Sequence, residues 1–310
     1  MLRFGLCCLF VREPIRFRSL TARYLRTLPG KRRQAYISSV CLHNSRSLAD
    51  AVTTVSRLGF GAFRILSPLF PRFTHPEVGY ALDDLPDAEE IYDYLSRTRR
   101  LARHNHIRLS FHPDQFILLS SPRKEVTESS IRELEYQGFV AEKVGAEVIN
   151  VHGGGEYGDR RAALSRLRNH FRQLSVRVRK RLTLENDDRV YNVADLLPVC
   201  SDLNIPLVYD VHHHRCRPDG LSVAEATELA KASWKSRKQD PYFHVSSPKH
   251  GWAANDTRSH ADYIDPRDFP EEWKQMDLTV DVEAKAKELA VVRLMKQLDL
   301  GAPDTGRPGS

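Results

Sequence analysis

The sequence predicts one α/β domain, a single (β/α)8 TIM barrel over residues 1–300. Three observations lead there. Eight short β-branched and aromatic runs alternate with stretches of helical periodicity, which argues for a parallel sheet. Most of the runs are continuously apolar, as strands covered on both faces are. Histidines and carboxylates recur at the carboxyl ends of the runs, the end at which such a barrel gathers its functional groups.

Taken in order, the first strand is Arg3–Leu9, with Cys7 and Cys8 read as buried small hydrophobes. The arginine-rich segment that follows, VREPIRFRSLTARYLRTLPGKRR, reads either as a grip on phosphates or as a mobile loop. Helix Leu48–Leu58 leads to strand Ala62–Leu66, and helix Ala88–His104 to strand Ile107–His112. Ser129–Val144 precedes Val148–His152, and Arg161–Val178 precedes Leu182–Glu185. Val193–Leu203 leads to Leu207–Val211, Val223–Trp234 leads to Phe243–Ser246, and Leu278–Glu283 closes the set. Gly59, Gly145 and Asn204 stand where helices are expected to stop. There is no internal repeat. Residues 301–310 are expected to form a disordered tail.

Hydrophobic residues make up 41% and charged residues 28% of the 310, ordinary for a globular chain with a full core. The net charge of +7 is as consistent with a polyanionic partner as with a merely basic surface. The 5 cysteines are odd in number and irregularly spaced, which argues against a disulfide framework and for a reducing, cytoplasmic setting. LCCLFV is too short for a signal peptide or a membrane span.

The chemistry concentrates at the strand ends. His112, His152, Glu185, Asp210, His213, His244 and Glu283 stand there, with His75 and His260 in the loops after the second and seventh strands. Imidazole and carboxylate together suit zinc, manganese or iron. The set exceeds what one tetrahedral ion needs. It suits two or three ions sharing a carboxylate, an arrangement that serves in-line displacement at phosphorus. Alone, His112 or His152 reads more readily as a hydrogen-bonded core histidine than as a ligand. Glu185 does not, because a carboxylate in a buried strand is costly unless paired or metal-bound. Within Asp210-Val211-His212-His213-His214, Asp210 and His213 are the expected ligands, and His212 and His214 supporting or solvent-facing. HGGGEYG lacks a phosphate-loop lysine and reads as room for backbone to approach phosphate or metal. No strand-end serine or cysteine has the company of a nucleophilic triad.

The strings RFG, FRILSPLFPRFTHP, LSFHPDQF, INVHGGGEYGDR, LTLENDD, YDVHHH, FHVSSPK, SHADYID and VEAKAKE span nearly the whole chain. In them the chain resembles the UV damage endonuclease family, whose barrel is related to endonuclease IV and to xylose-isomerase-like enzymes. The resemblance implies a divalent-metal enzyme, with manganese expected and zinc the alternative. It would nick double-stranded damaged DNA 5′ to UV photoproducts and abasic sites. It implies metal ligands at His112, His152, Glu185, Asp210, His213, His244, His260 and Glu283, with Glu185 bridging. One ion is expected with His112 and His152, another with Asp210, His244 and Glu283, a third with His213 and His260. Beside Glu185, the resemblance places His75 near the phosphate and makes Lys285 and Arg160 phosphate contacts. Gln115 and Phe116 match the pair that enters the duplex at the lesion; core packing is the competing reading of Phe116. A monomer without membrane contact is expected.

Two departures stand out. The family usually has a lysine, carboxylated beside the metals, two residues before the strand-seven histidine. This chain has Tyr242, which strand alternation points into the mouth with His244, and Asp256 or Asp262 as candidate substitutes for the lost carboxyl. Leu6 stands where some members carry tyrosine. The rival readings are a sugar isomerase or epimerase on the same barrel, and a damage binder without catalysis.

Overall fold

Strand alternation decides the architecture. In the computed structural model, which describes residues 1–299, eight parallel strands pair in chain order and the last closes on the first. They are β1 (Leu2–Cys7), β2 (Ala62–Ile65), β3 (Arg108–Phe111), β4 (Val148–His152), β5 (Leu182–Glu185), β6 (Leu207–Asp210), β7 (Tyr242–Val245) and β8 (Leu278–Val282). The expected tail 301–310 lies outside the described residues.

One alternate set along the strands packs outward. Leu6, Phe63, Phe111, Ile149, Leu184, Tyr209, Phe243 and Val280 join the main apolar core beneath the helices. The other set fills the barrel. At its amino-terminal end Ala62, Val148, Val208 and Tyr242 form a separate apolar plug with Trp234, whose indole N–H donates to the Leu207 carbonyl at 2.8 Å. Above the plug the inward residues turn polar.

The covering helices are α1 (Ala22–Thr27), α2 (Gly30–Arg57), α3 (Ala88–His104), α4 (Lys124–Val144), α5 (Arg160–Gln173), α6 (Val176–Arg179), α7 (Val193–Leu203), α8 (Val211–Cys216), α9 (Val223–Ser233) and α10 (Glu288–Gln297). Their ends follow local chemistry. Asn192 and Ser222 open α7 and α9 with capping boxes, and Gly145 closes α4 at φ 76°. The helix expected over Leu48–Leu58 begins at Gly30, because its buried face continues back through Cys41 and Ile37. The expected helix Arg161–Val178 is divided at Leu174 into α5 and α6. All five cysteines are free thiols. Among the described residues no helix is long and apolar enough to cross a membrane.

The arginine-rich segment is neither loose nor wholly irregular. Glu288, at the start of α10, accepts from the backbone N–H of Val11 and Arg12 at 2.9 and 2.6 Å. Buried Asn44 on α2 accepts from Arg18 N–H and donates to the carbonyls of Arg18 and Leu69, all within 2.9 Å. It thereby ties the loop after β1 to the loop after β2. Replacing Asn44 by alanine leaves these backbone groups unpaired in the interior. We expect Asn44→Ala to lower unfolding stability by about 2–3 kcal/mol in urea denaturation. A loss near zero would show that water takes over the bonds.

Candidate metal centre

The mouth of the barrel is built from the last inward residue of successive strands. β4 and β5 pair so that His152 lies beside Glu185, and β6 and β7 so that Asp210 lies beside His244. His112 follows the end of β3, and Glu283 the end of β8. Glu185 is the centre, with 0% exposure. Its Oε2 is 2.9 Å from His112 Nε2 and accepts from Asn150, which Thr183 holds in turn at 2.9 Å. Its Oε1 is 3.0 Å from His244 Nδ1 and 3.4 Å from His213 Nδ1. The rings of His112 and His152 are 5.0 Å apart, and His152 and His213 5.8 Å.

Asp210 brings His213 in. Its backbone exchanges two hydrogen bonds with the Asn186 side chain, and its Oδ1 caps α8 by accepting from His213 N–H at 2.8 Å. Three sets of donor atoms converge within 4.8 Å: His112, His152 and Glu185; His112, His244 and Glu283; Glu185, Asp210 and His213. The first is the expected first group, and Glu185 stands in two of the three. His260 falls outside all three. Its Nδ1 is 3.7 Å from Glu283 and its ring 6.4 Å from His213, at the rim of the cluster.

The remaining expected site residues lie around this mouth. Phe116 is 71% exposed beside exposed Gln115, so core packing does not account for it. Lys285 is exposed two residues past Glu283. His75 lies in the loop after β2, its Nδ1 accepting from the Glu77 backbone at 3.1 Å. It lines a cavity of about 530 Å³ together with Arg18, Arg72 and Arg132. Arg160 is already engaged, donating to Asp195 at 2.7 Å, Glu156 at 3.3 Å and the Val190 carbonyl at 3.1 Å. A phosphate reaches it only in exchange for one of these.

The structure corrects some of these expectations and decides between the readings of others. Tyr242 faces into the barrel but not into the mouth. Same-face residues are about 6.6 Å apart along a strand, so it sits one layer below His244, its ring centre 4.1 Å from the Arg108 guanidinium. Asp256 and Asp262, the candidate substitutes for the lost carboxyl, are exposed. Of the two readings of His212 and His214, supporting or solvent-facing, the second is ruled out. His212 is buried between Trp252 and His260, and His214 bonds Tyr209 and Asp219 at 2.6 and 3.1 Å. The room at Gly153 and Gly154 is filled by Tyr191 and Ser120 rather than left for phosphate or metal.

Sequence comparison is decisive about the lineage. The family described as UV-endonuclease UvdE matches residues 2–303. The chain belongs to this family. A UV DNA damage endonuclease of Bacillus velezensis is 32% identical to it over 319 residues, covering 96% of this chain and 94% of that one. The crystal structure of SacUVDE aligns with a TM-score of 0.84 at 25% identity, over 97% of this chain and 99% of that one. Endonuclease IV from Thermus thermophilus aligns at a TM-score of 0.61 and 16% identity, over 96% and 100%. Sugar epimerases are more distant. D-psicose 3-epimerase from Clostridium cellulolyticum shares the fold alone, at 12% identity and a TM-score of 0.53.

In this UvdE member the mouth is an ion network. Burial pushes the Glu185 carboxyl up, but His244, His152 and His112 around it hold it well below the usual range. Burial likewise opposes ionisation of Glu283, and Arg64 and His244 overcome it. Burial lowers His213 and His244, yet Asp210 and Glu185 raise the first well above its ordinary value, and Glu185 raises the second. His152 is lowered, chiefly by burial. Two buried polar atoms, His152 Nδ1 and Asp210 Oδ2, have no hydrogen-bond partner. Interior polar atoms are nearly always bonded. Open donors inside a nest of imidazoles and carboxylates fit a divalent cation.

Arg64 and Asp281 were missed in the sequence, although a charge inside an apolar strand is itself a signal. Arg64 donates to Glu283 at 2.6 Å and to Asp281 at 3.0 Å. Because His213 keeps its proton above the ordinary imidazole value of 6.5, a cation must displace it. Divalent-cation affinity in titration calorimetry is expected to rise with pH through that value, with proton release on binding. A flat profile between about pH 6 and 8 would remove His213 from the ligand set.

Proposed function

We propose that the protein is a divalent-metal-dependent DNA repair endonuclease that nicks damaged double-stranded DNA 5′ to UV photoproducts and abasic sites. The observation that carries this reading is Glu185, a carboxylate with 0% exposure ringed by imidazoles at the barrel mouth of a UvdE-family chain. Two or three ions, manganese by preference and zinc as the alternative, would be held by His112, His152, Glu185, Asp210, His213, His244, His260 and Glu283. Once bound, they supply the Lewis acidity that activates water and neutralises phosphate charge.

The protein's own residues do the positioning. Asn150 and the histidines fix both oxygens of Glu185, so it is oriented before any ion arrives. Lys285 and His75 are proposed to meet the backbone phosphates, as are the exposed Arg12 and Arg23 of the pinned segment after β1. Gln115 and Phe116 are proposed to enter the duplex. A damaged step is already partly unstacked, so opening it costs less, and an aromatic wedge fills the gap. The same reading makes the protein a cytoplasmic monomer.

Nicking of UV-irradiated supercoiled plasmid is the direct test. Chelator treatment should abolish it and manganese restore it. Full activity in rigorously metal-free protein would exclude the mechanism. Glu185→Gln should keep the circular dichroism of the native fold and lose at least about 10²–10³-fold in turnover. Near-normal turnover in that variant would make Glu185 structural. Phe116→Ala removes a stacking contact of about 1–3 kcal/mol. It should weaken binding to a photoproduct duplex ten- to a hundred-fold while leaving the unfolding temperature in place, since the ring is 71% exposed. Unchanged lesion affinity would exclude it as the wedge.

A further inference from the structure

Directly beneath the mouth lies a buried ion pair that the proposed chemistry does not use. Asp281 stands in mid-strand on β8, in register with His244 on one side and Gly5 on the other. Its Oδ2 accepts from Arg64 Nε at 3.0 Å, while its Oδ1 is buried with no partner. Gly5 makes the space, for a Cβ there would collide with Oδ1. Oδ1 is the oxygen toward Gly5, and the one nearer the neighbouring histidine is Oδ2, which takes Arg64 on one lone pair and has another to offer.

His244 presents its two nitrogens to different layers. Nδ1 faces the cluster, 3.0 Å from Glu185, 3.4 Å from Glu283 and 3.9 Å from Asp210. Nε2 faces the layer below, 2.9 Å from Arg64 Nη2 and 3.9 Å from Asp281 Oδ2. A neutral imidazole carries one proton. Nε2 accepts from the guanidinium here, so the proton belongs on Nδ1, the nitrogen that a cation in the cluster would need. Binding a cation at Nδ1 moves that proton to Nε2, where it meets a guanidinium that cannot accept it. The carboxylate that faces it is Asp281.

We propose that Asp281 is a positioning residue that sets the metal-binding tautomer of His244, accepting the Nε2–H when Nδ1 takes a cation. Arg64 then keeps its bonds to Glu283 and Asp281 and gives up the one to the ring. The inference rests on the reading of the mouth as a divalent-metal site. A ligating histidine commonly donates its other N–H to a carboxylate, and losing that partner costs about 10–100-fold in metal affinity.

Two measurements test this without relying on turnover. In full-length protein labelled with ¹⁵N-histidine and loaded with Zn²⁺ alone, long-range ¹H–¹⁵N spectra should show His244 metal-bound at Nδ1 and protonated at Nε2. The resonance is assigned by comparison with His244→Asn. Zinc bound at Nε2, or Nε2 without a proton, overturns the inference and leaves the metal site standing. Failure of Zn²⁺ or Mn²⁺ to bind at all overturns the metal reading itself, and this inference with it. Asp281→Asn keeps the volume, but its single oxygen is claimed by Arg64. Its Kd for Mn²⁺, read by electron paramagnetic resonance titration, should rise ten- to a hundred-fold. An unchanged Kd in the folded variant overturns the proposal, and if the variant does not fold, the wild-type spectrum decides alone.

Discussion

A carboxylate cannot be left alone inside a protein, and the barrel is organised around one that is fully enclosed. Removing an ion of this size from water costs several kcal/mol even after the surroundings relax. Glu185 recovers this from His112, His244, His213 and Asn150, each delivered by a different strand or helix. Those residues must in turn be held. Thr183 fixes Asn150, and Asn186 fixes the backbone of Asp210, from which His213 projects. The apolar plug of Tyr242, Trp234 and their neighbours stops the polar column from below. The charge is thus kept near the one end of the barrel that a large substrate can approach.

The inner layers are also unbalanced in sign. Of the buried carboxylates Glu185, Asp210, Asp281 and Glu283, the last two share the Arg64 guanidinium and the first two face imidazoles. The carboxylates raise His213 and His244, while neighbouring imidazoles hold the Glu185 carboxyl down and Arg64 and His244 hold Glu283 down. Divalent ions would replace several protons at once and relieve the same deficit. Structural ion pairing and metal affinity are therefore two outcomes of one arrangement of charge.

Much of this was legible in the sequence because short apolar runs, alternating with helical periodicity, mark the strands of a parallel barrel. The histidines and carboxylates stood out at the ends of those runs, and the motifs around them supplied the ligand set. Height along the barrel axis is not carried by alternation, and so Tyr242 was placed in the mouth when it belongs a layer below. The start of α2 was hidden for a different reason. Its buried face carries Asn44, Ser45 and Ser47, whose polarity breaks the apolar stripe although each is enclosed and bonded. Arg64 and Asp281 were visible as charges within apolar strands, but their meaning depends on β2 and β8 meeting across the interior, a contact between residues 217 apart in sequence. Phe116 could not be assigned from its type, and only its exposure separates a wedge from a core residue.

The seam between β1 and β8 has a consequence for the order of assembly. The two strands pair along Leu2–Leu6, joining segments separated by nearly the whole described chain. Contacts of such separation form late and slowly, because the loop they close is long. Until β8 arrives, Arg64 has neither Asp281 nor Glu283, His244 has no carboxylate below its ring, and Gly5 borders an empty slot. The same final segment brings Glu288, which fastens the backbone after β1. A chain emerging from the ribosome would therefore carry most of its histidines long before it could hold them in place. The charged interior would be completed only after β8 has been made, and the arginine-bearing segment pinned only after Glu288 follows it.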